Sequence, residues 1–186
     1  MTIQPLLETG RLLLRPFSMK DAPQVQRLAG ERDVAANVRS IPHPYGDGVA
    51  EAWISSHRDK FKHGEVIYAI TLREGGELIG AISLIIDKET ELAELGFWIG
   101  KPYWNQGYCT EASEAMLRYG FGELGLNRIH SFHMSLNVAS ARVMQKIGMS
   151  REGLFRQAMK KWGVFQDIEL YAILKADYAE RQSTGR

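Results

Sequence analysis

The stretch FWIGKPYWNQGYCTEASEAM, Phe97 to Met116, decides how this chain is built. An apolar run breaks at Gly100 and Pro102, passes through Asn105-Gln106-Gly107, and becomes a helix carrying Glu111 and Glu114. A strand that enters a glycine-bearing turn and then a helix leaves several backbone N–H groups unpaired at the helix start, all pointing one way. With the helix dipole they favour an anion, and Gly107 permits the close approach that a Cβ would obstruct. Two readings stand at this point: a phosphate-binding turn, or a tight connection between two elements. The ATP-type loop is excluded because no Gly-Lys-Ser or Gly-Lys-Thr follows. A dinucleotide fingerprint needs three spaced glycines, and NQGYCTEA has only Gly107.

Upstream of the stretch, RLLLRPF reads as a strand ended by Pro16, followed by a helix with Val25, Leu28 and Ala29 on one side. RSIPHPYGDG, Arg39 to Gly48, is a Pro- and Gly-rich loop, after which Val49, Ala52, Trp53 and Phe61 keep helical spacing. EVIYAITL, ELIGAISLII and ELAELGFWIG are β-rich runs joined by short turns, the first at Arg73-Glu74-Gly75-Gly76, and predict an antiparallel meander. Downstream, Ala112, Ala115, Met116 and Tyr119 mark the buried side of the helix. NRIHSFHMSLN is the next strand, ASARVMQKIGM a short helix with Ala139, Val143 and Ile147 in register, and the last segment two strands around Trp162-Gly163-Val164. Residues 180–186 read as a frayed tail. The strand-helix-strand crossover at 94 to 136 within an otherwise antiparallel set predicts an α/β (α+β) fold with a mixed, mostly antiparallel central sheet and helices on its faces.

The totals narrow the function. The length of 186 residues suits one domain, 1–186. Its 45% hydrophobic and 24% charged residues are ordinary for a globular protein. A net charge of +1, with no dense basic helix, predicts no nucleic-acid partner. Cys109 is the single cysteine, so no intrachain disulfide forms and a cytoplasmic setting is expected. The N-terminus lacks the form of a secretory leader, and no apolar run approaches a membrane span. The His residues, at 43, 57, 63, 130 and 133, form no metal-ligand cluster with Cys109, and no metal is expected. His130 and His133 fall on opposite faces of a strand and read as structural.

The residues YWNQGYCTEA, LGLNRI and LNVASARVMQKIGM together resemble the GCN5-related N-acetyltransferase (GNAT) superfamily, in its branch of ribosomal-protein N-terminal acetyltransferases. The likeness runs from LETGRLLLRPF to DIELYAIL. It implies a GNAT-like fold and an acetyl-CoA-dependent transfer of an acetyl group to a primary amine in a ternary complex. In that superfamily a Gln/Arg-x-x-Gly-x-Gly/Ala turn binds the pyrophosphate of acetyl-CoA through main-chain N–H groups. The matching span here is Trp104 to Cys109, with Trp104 in the Gln/Arg position and Cys109 in the final small position. The resemblance thus implies cofactor contacts at Gln106, Gly107, Tyr108, Cys109 and Thr110. It adds Trp98, Ile99 and Gly100, where backbone N–H groups of a splayed strand would meet the oxyanion, and Asn137 and Lys146 from Asn-x-x-Ser and Lys-x-Gly.

It also implies Glu94 as the base and Ser140 beside the departing thiolate. Met144 stands where many relatives carry a tyrosine acid. Glu94 has a second reading as an exposed strand carboxylate paired with a lysine. Glu111 reads as a dipole-favoured carboxylate, and Cys109 as a packing residue or a reactive thiol. Asp167 either receives an incoming N-terminus or pairs with Lys160 or Lys161. His43, Tyr45 and Trp53, in or beside the loop where relatives build their acceptor groove, are specificity candidates. The expected acceptor is a peptide N-terminus, with small-molecule amines as the alternative; a non-catalytic sensor of CoA thioesters is the competing class. Asp47 is the only carboxylate of RSIPHPYGDG, which tilts against polycations. The protein would act as a monomer or homodimer, without membrane association.

Overall fold

The structure is a computed structural model and describes residues 4–184. Its strands are β1 (Leu7–Glu8), β2 (Leu12–Arg15), β3 (Glu65–Leu72), β4 (Leu78–Asp87), β5 (Leu92–Ile99), β6 (Arg128–Met134), β7 (Ser150–Lys161) and β8 (Val164–Leu174). The helices are α1 (Ala22–Ala29), α2 (Arg32–Ala36), α3 (Val49–Lys62), α4 (Tyr108–Arg118), α5 (Val138–Lys146) and α6 (Lys175–Thr184). The strands form one sheet in the order β1-β2-β3-β4-β5-β6-β8-β7. Every pairing is antiparallel except β5 with β6. That pair is parallel because α4 carries the chain back across the sheet. This is the mixed, mostly antiparallel GNAT sheet with its crossover.

Alternation along the strands divides the core between two faces. On one, Leu14, Tyr68, Ile82, Leu95 and Ile129 pack under Ala112, Met116, Met144 and Ile147 of α4 and α5. On the other, Ala69, Ala81 and Trp98 pack under Val25, Leu28 and Ile54 of α1 and α3.

Two helices bury different stripes from those expected. In α5 the buried residue is Met144, followed by Ile147, whereas Ala139 is exposed and Val143 half-buried. In α3 the buried residues are Ala50 and Ile54, and Ala52 is exposed. Ala139 and Val143 of α5, like Val49 and Trp53 of α3, line cavities described below. The segment from residue 180, expected to fray, continues α6 to Thr184. Phe121 packs on Tyr178 at 5.0 Å, and Arg181 donates to Lys146 O at 2.9 Å and Ile147 O at 3.3 Å. β1 and α2 are too short for periodicity to reveal.

Candidate active site

The site forms where β5 parts from β6. Their pairing covers only Leu92, Ala93 and Glu94 against Arg128, Ile129 and His130, although β5 continues to Ile99 and β6 to Met134. Beyond it the Ser131 hydroxyl donates to Leu95 O at 2.7 Å, so a side chain bridges the strands where a main-chain amide otherwise would. On the opposite edge Gly100 N donates to Ile79 O at 2.8 Å. Backbone direction alternates along an antiparallel ladder, so Trp98 turns its polar groups to β4 while Phe97 and Ile99 turn theirs into the gap. Trp104 Nε1 donates to Ile99 O at 2.7 Å from that side. Of the expected oxyanion donors at Trp98 to Gly100, Ile99 is kept while Trp98 and Gly100 are turned to β4. The Gly100 amide is already spent on Ile79, and the N–H groups facing the gap belong to Phe97 and Ile99.

A cavity of about 330 Å³ lies between this edge and α4 and α5. Trp98, Ile99, Gly107, Tyr108, Cys109, Thr110, Asn137, Ser140 and Lys146 all line it, with Ala139, Arg142 and Val143 from α5. At its turn Asn105 has φ 60° and Gly107 φ 80°, and no side chain caps α4. The first helical bond is Glu111 N to Gly107 O at 3.0 Å. The N–H groups of Tyr108, Cys109 and Thr110 precede it and are free for an anion.

The turn is braced from behind. Arg11 Nη1 donates to Gln106 O at 3.0 Å, and its guanidinium lies 4.5 Å from the Tyr108 ring centroid. Glu111 accepts from Thr9 Oγ1 at 2.6 Å, Arg11 N at 2.8 Å and Arg11 Nε at 2.7 Å. Burial alone would raise its pKa; these hydrogen bonds win and hold it below the usual carboxylate range. Glu111 is thus a structural tie, as its place in the first helical turn suggested. Gln106 does not line the cavity, because its side chain turns back to Pro102 O at 3.0 Å. Burial pushes the Cys109 thiol up to about 12, which makes it a packing group and not a ready thiolate.

Asn137 caps α5 and orders Ser140. Its Oδ1 accepts from Ser140 N at 3.2 Å and its Nδ2 donates to Ser140 Oγ at 2.8 Å. With a lone pair of Oγ so engaged, the hydroxyl hydrogen is free to point at a neighbouring sulfur or oxygen. Met144, in the place of the tyrosine, is buried in the core and has no access to the cavity.

A second cavity, of about 740 Å³, lies on the α1–α3 face and meets the first at Phe97, Trp98 and Ser140. Tyr45 and Trp53 line it, and so does Glu94, whose carboxylate makes no hydrogen bond or ion pair among the described residues. The lysine-paired reading of Glu94 therefore fails: Lys60, which also lines this cavity, pairs with Glu65 at 3.1 Å. Opposite Glu94 on β6, burial pushes the pKa of His130 down, so the imidazole is neutral at neutral pH.

The remaining candidates lie outside. His43 Nδ1 is 3.2 Å from Gly30 O, and the ring sits 5.6 Å from that of Trp162. Asp167 reaches neither lysine; its Oδ1 accepts from Gln157 N at 2.7 Å, within a bulge of β7 where Gln157 has φ 52°. Lys161 is the residue that sequence reading missed. Its ammonium is buried and donates to Val38 O at 2.7 Å and Ile41 O at 2.8 Å, pinning the loop that roofs both cavities. No local pattern marks it, since the contact joins segments far apart in the chain.

A mixed sheet that splays beside a glycine-capped helix, with a second cavity on its opposite face, has separate places for an acyl donor and an acceptor. The family described as Acetyltransferase (GNAT) domain matches residues 11–150, and the chain belongs to it. The N-acetyltransferase YnaD of Bacillus subtilis (strain 168), itself uncharacterized, is 34% identical over 173 residues, covering 92% of this chain and 98% of that protein. The crystal structure of a GNAT-family acetyltransferase from Bacillus anthracis superposes with a TM-score of 0.81 at 29% identity, covering 92% of this chain and 99% of that one. RimL, a ribosomal L7/L12 alpha-N-protein acetyltransferase in complex with coenzyme A, shares the fold at a TM-score of 0.80 and 17% identity, covering 91% and 98%. The protein is an N-acetyltransferase, and acetyl-CoA is the cosubstrate of its family.

Proposed function

We propose that the protein acetylates the α-amino group of a peptide N-terminus, with its whole chain acting as one catalytic unit and Glu94 as the base. The observation that carries this reading is the junction of the two cavities: an unpaired carboxylate stands in one, and the ordered Ser140 hydroxyl is shared with the other. RimL, which has this fold, is named for acting on a protein α-amino group.

Bound acetyl-CoA supplies an activated acetyl thioester. The N–H groups of Tyr108, Cys109 and Thr110 hold its phosphates, and the splayed edge of β5 receives its arm. Glu94, directly or through one water, takes the proton that the attacking nitrogen loses as the C–N bond forms. An α-amino group has a pKa near 8, so an appreciable share of it is already neutral near pH 7 and a carboxylate suffices to take the proton it loses on attack. The Phe97 and Ile99 amides face the place where the carbonyl oxygen gains charge. Ser140 donates a hydrogen bond to the sulfur as the C–S bond breaks. Holding the two reactants in one geometry lowers the barrier by several kcal/mol, on the order of the usual gain from proximity.

Mass spectrometry of peptides incubated with the protein and acetyl-CoA tests the reading. Acetyl groups should appear on the N-terminal nitrogen, and Glu94→Gln should reduce kcat about 100-fold with little change in acetyl-CoA affinity. Unchanged turnover in the Gln variant across pH removes Glu94 as the base. Acetyl-CoA binding without transfer to any amine supports the sensor instead.

A further inference from the structure

The acceptor cavity has a shaped floor. Ser83 of β4 and Gly96 of β5 are cross-strand partners, and both face it. A Cβ added at Gly96 would meet Ser83 Oγ at 3.2 Å, and no other side chain comes within 4 Å of it, so only a small hydroxyl sits above this point. The result is a hollow one residue along the same strand face from Glu94. Apolar residues line the same cavity: Ile85 two residues beyond Ser83 on β4, Phe132 of β6, Phe155 of β7 and Trp53 of α3. Ile85 is 49% exposed and Phe132 38% exposed.

The charges around the cavity balance. Its lining cations are Arg39 and Lys60 and its lining carboxylates Glu65 and Glu94, with Lys60 held by Glu65. One carboxylate is therefore left for the incoming amine, and a second positive charge on the acceptor would meet Arg39 without a counter-ion.

Building on the acetyltransferase reading, we infer that the acceptor is a primary amine on a carbon bearing an apolar side chain, with the amine at Glu94 and the side chain in the hollow over Ser83 and Gly96. Polar and polycationic acceptors are rejected. The wall that selects them is Ile85, Phe132 and Trp53, and the depth comes from the two small floor residues.

The test uses the full chain with acetyl-CoA and tripeptide amides that differ only at the first residue (Phe, Leu, Met, Ser, Asp and Lys), together with spermidine, read by thiol release and mass spectrometry. The Phe, Leu and Met peptides should exceed the Ser peptide in kcat/KM by about 10-fold or more, the usual worth of one buried apolar group. Ser83→Leu, which fills the hollow, should lower kcat/KM for the Phe peptide and narrow that gap. Phe132→Ala should narrow it too, and retained acetyl-CoA binding shows that either variant is folded. Equal or better use of the Ser or Lys peptides or of spermidine overturns the inference while leaving the acetyltransferase reading in place. Bound acetyl-CoA with no acetylated product from any acceptor overturns both.

Discussion

Ser140 is held by reciprocal bonds with Asn137, one to its hydroxyl and one from its backbone N–H, in a cap at a helix start that the resemblance did not name. His57 is a different case, set wholly by packing. Its ring lies 4.4 Å from that of Trp53 and 5.2 Å from that of Phe17, and both ring nitrogens are buried without a partner. Burial pushes its pKa down to about 4, with Lys60 adding to the shift. The neutral ring is the form that folds, so the stability it confers is complete above the unfolded value, near 6.5. It is lost as pH falls toward 4, because the unfolded chain takes up the proton first. The residue is half-buried, so the loss should be on the order of 1 kcal/mol after allowing for solvent screening. Thermal melts of the native protein between pH 7 and 4 should show it, and His57→Phe should flatten that part of the profile.

Among the elements, the Gly107 turn and the Lys161 strap position the two halves of the site. Gly107 holds a φ of 80°. That left-handed region costs an L side chain roughly 1–2 kcal/mol. Gly107→Ala should therefore lower stability by that order and raise the acetyl-CoA Kd about 10-fold in a calorimetric titration, since the strain is relieved by moving the N–H groups that meet the phosphates. Lys161 acts on the other half. Lys161→Met leaves Val38 O and Ile41 O without their donor. Unpaired buried acceptors of this kind cost about 1–3 kcal/mol. Steady-state kinetics should show KM for the acceptor rising several-fold while the acetyl-CoA Kd changes less. A purely structural lysine would lower stability and leave that ratio unmoved. The elements also show where pattern misleads. Ala139 and Val143 keep helical spacing with Ile147, yet they line the cavity between β5, α4 and α5, because α5 turns that face to the cavity and its Met144 to the core.

At the scale of the whole molecule, α6 ties α4 and α5 together. Arg181 pairs with Glu114 of α4 and donates to two carbonyls at the end of α5. Arg181→Ala should cost about 1 kcal/mol, modest because the pair is partly exposed, and lower Tm by about 2–4 °C. The sequence by itself determined the order of the longer strands and of the helices α1, α3, α4 and α5, and the crossover at the Gly107 turn, since each rests on residues close together in the chain. Tertiary structure alone decided the rest. Which amides of β5 face the gap, which carboxylate stays unpaired and which lysine pins the loop at Val38 to Ile41 depend on strand register and on contacts between distant segments. Those are set by how two faces of one sheet are covered, a property that no local window contains.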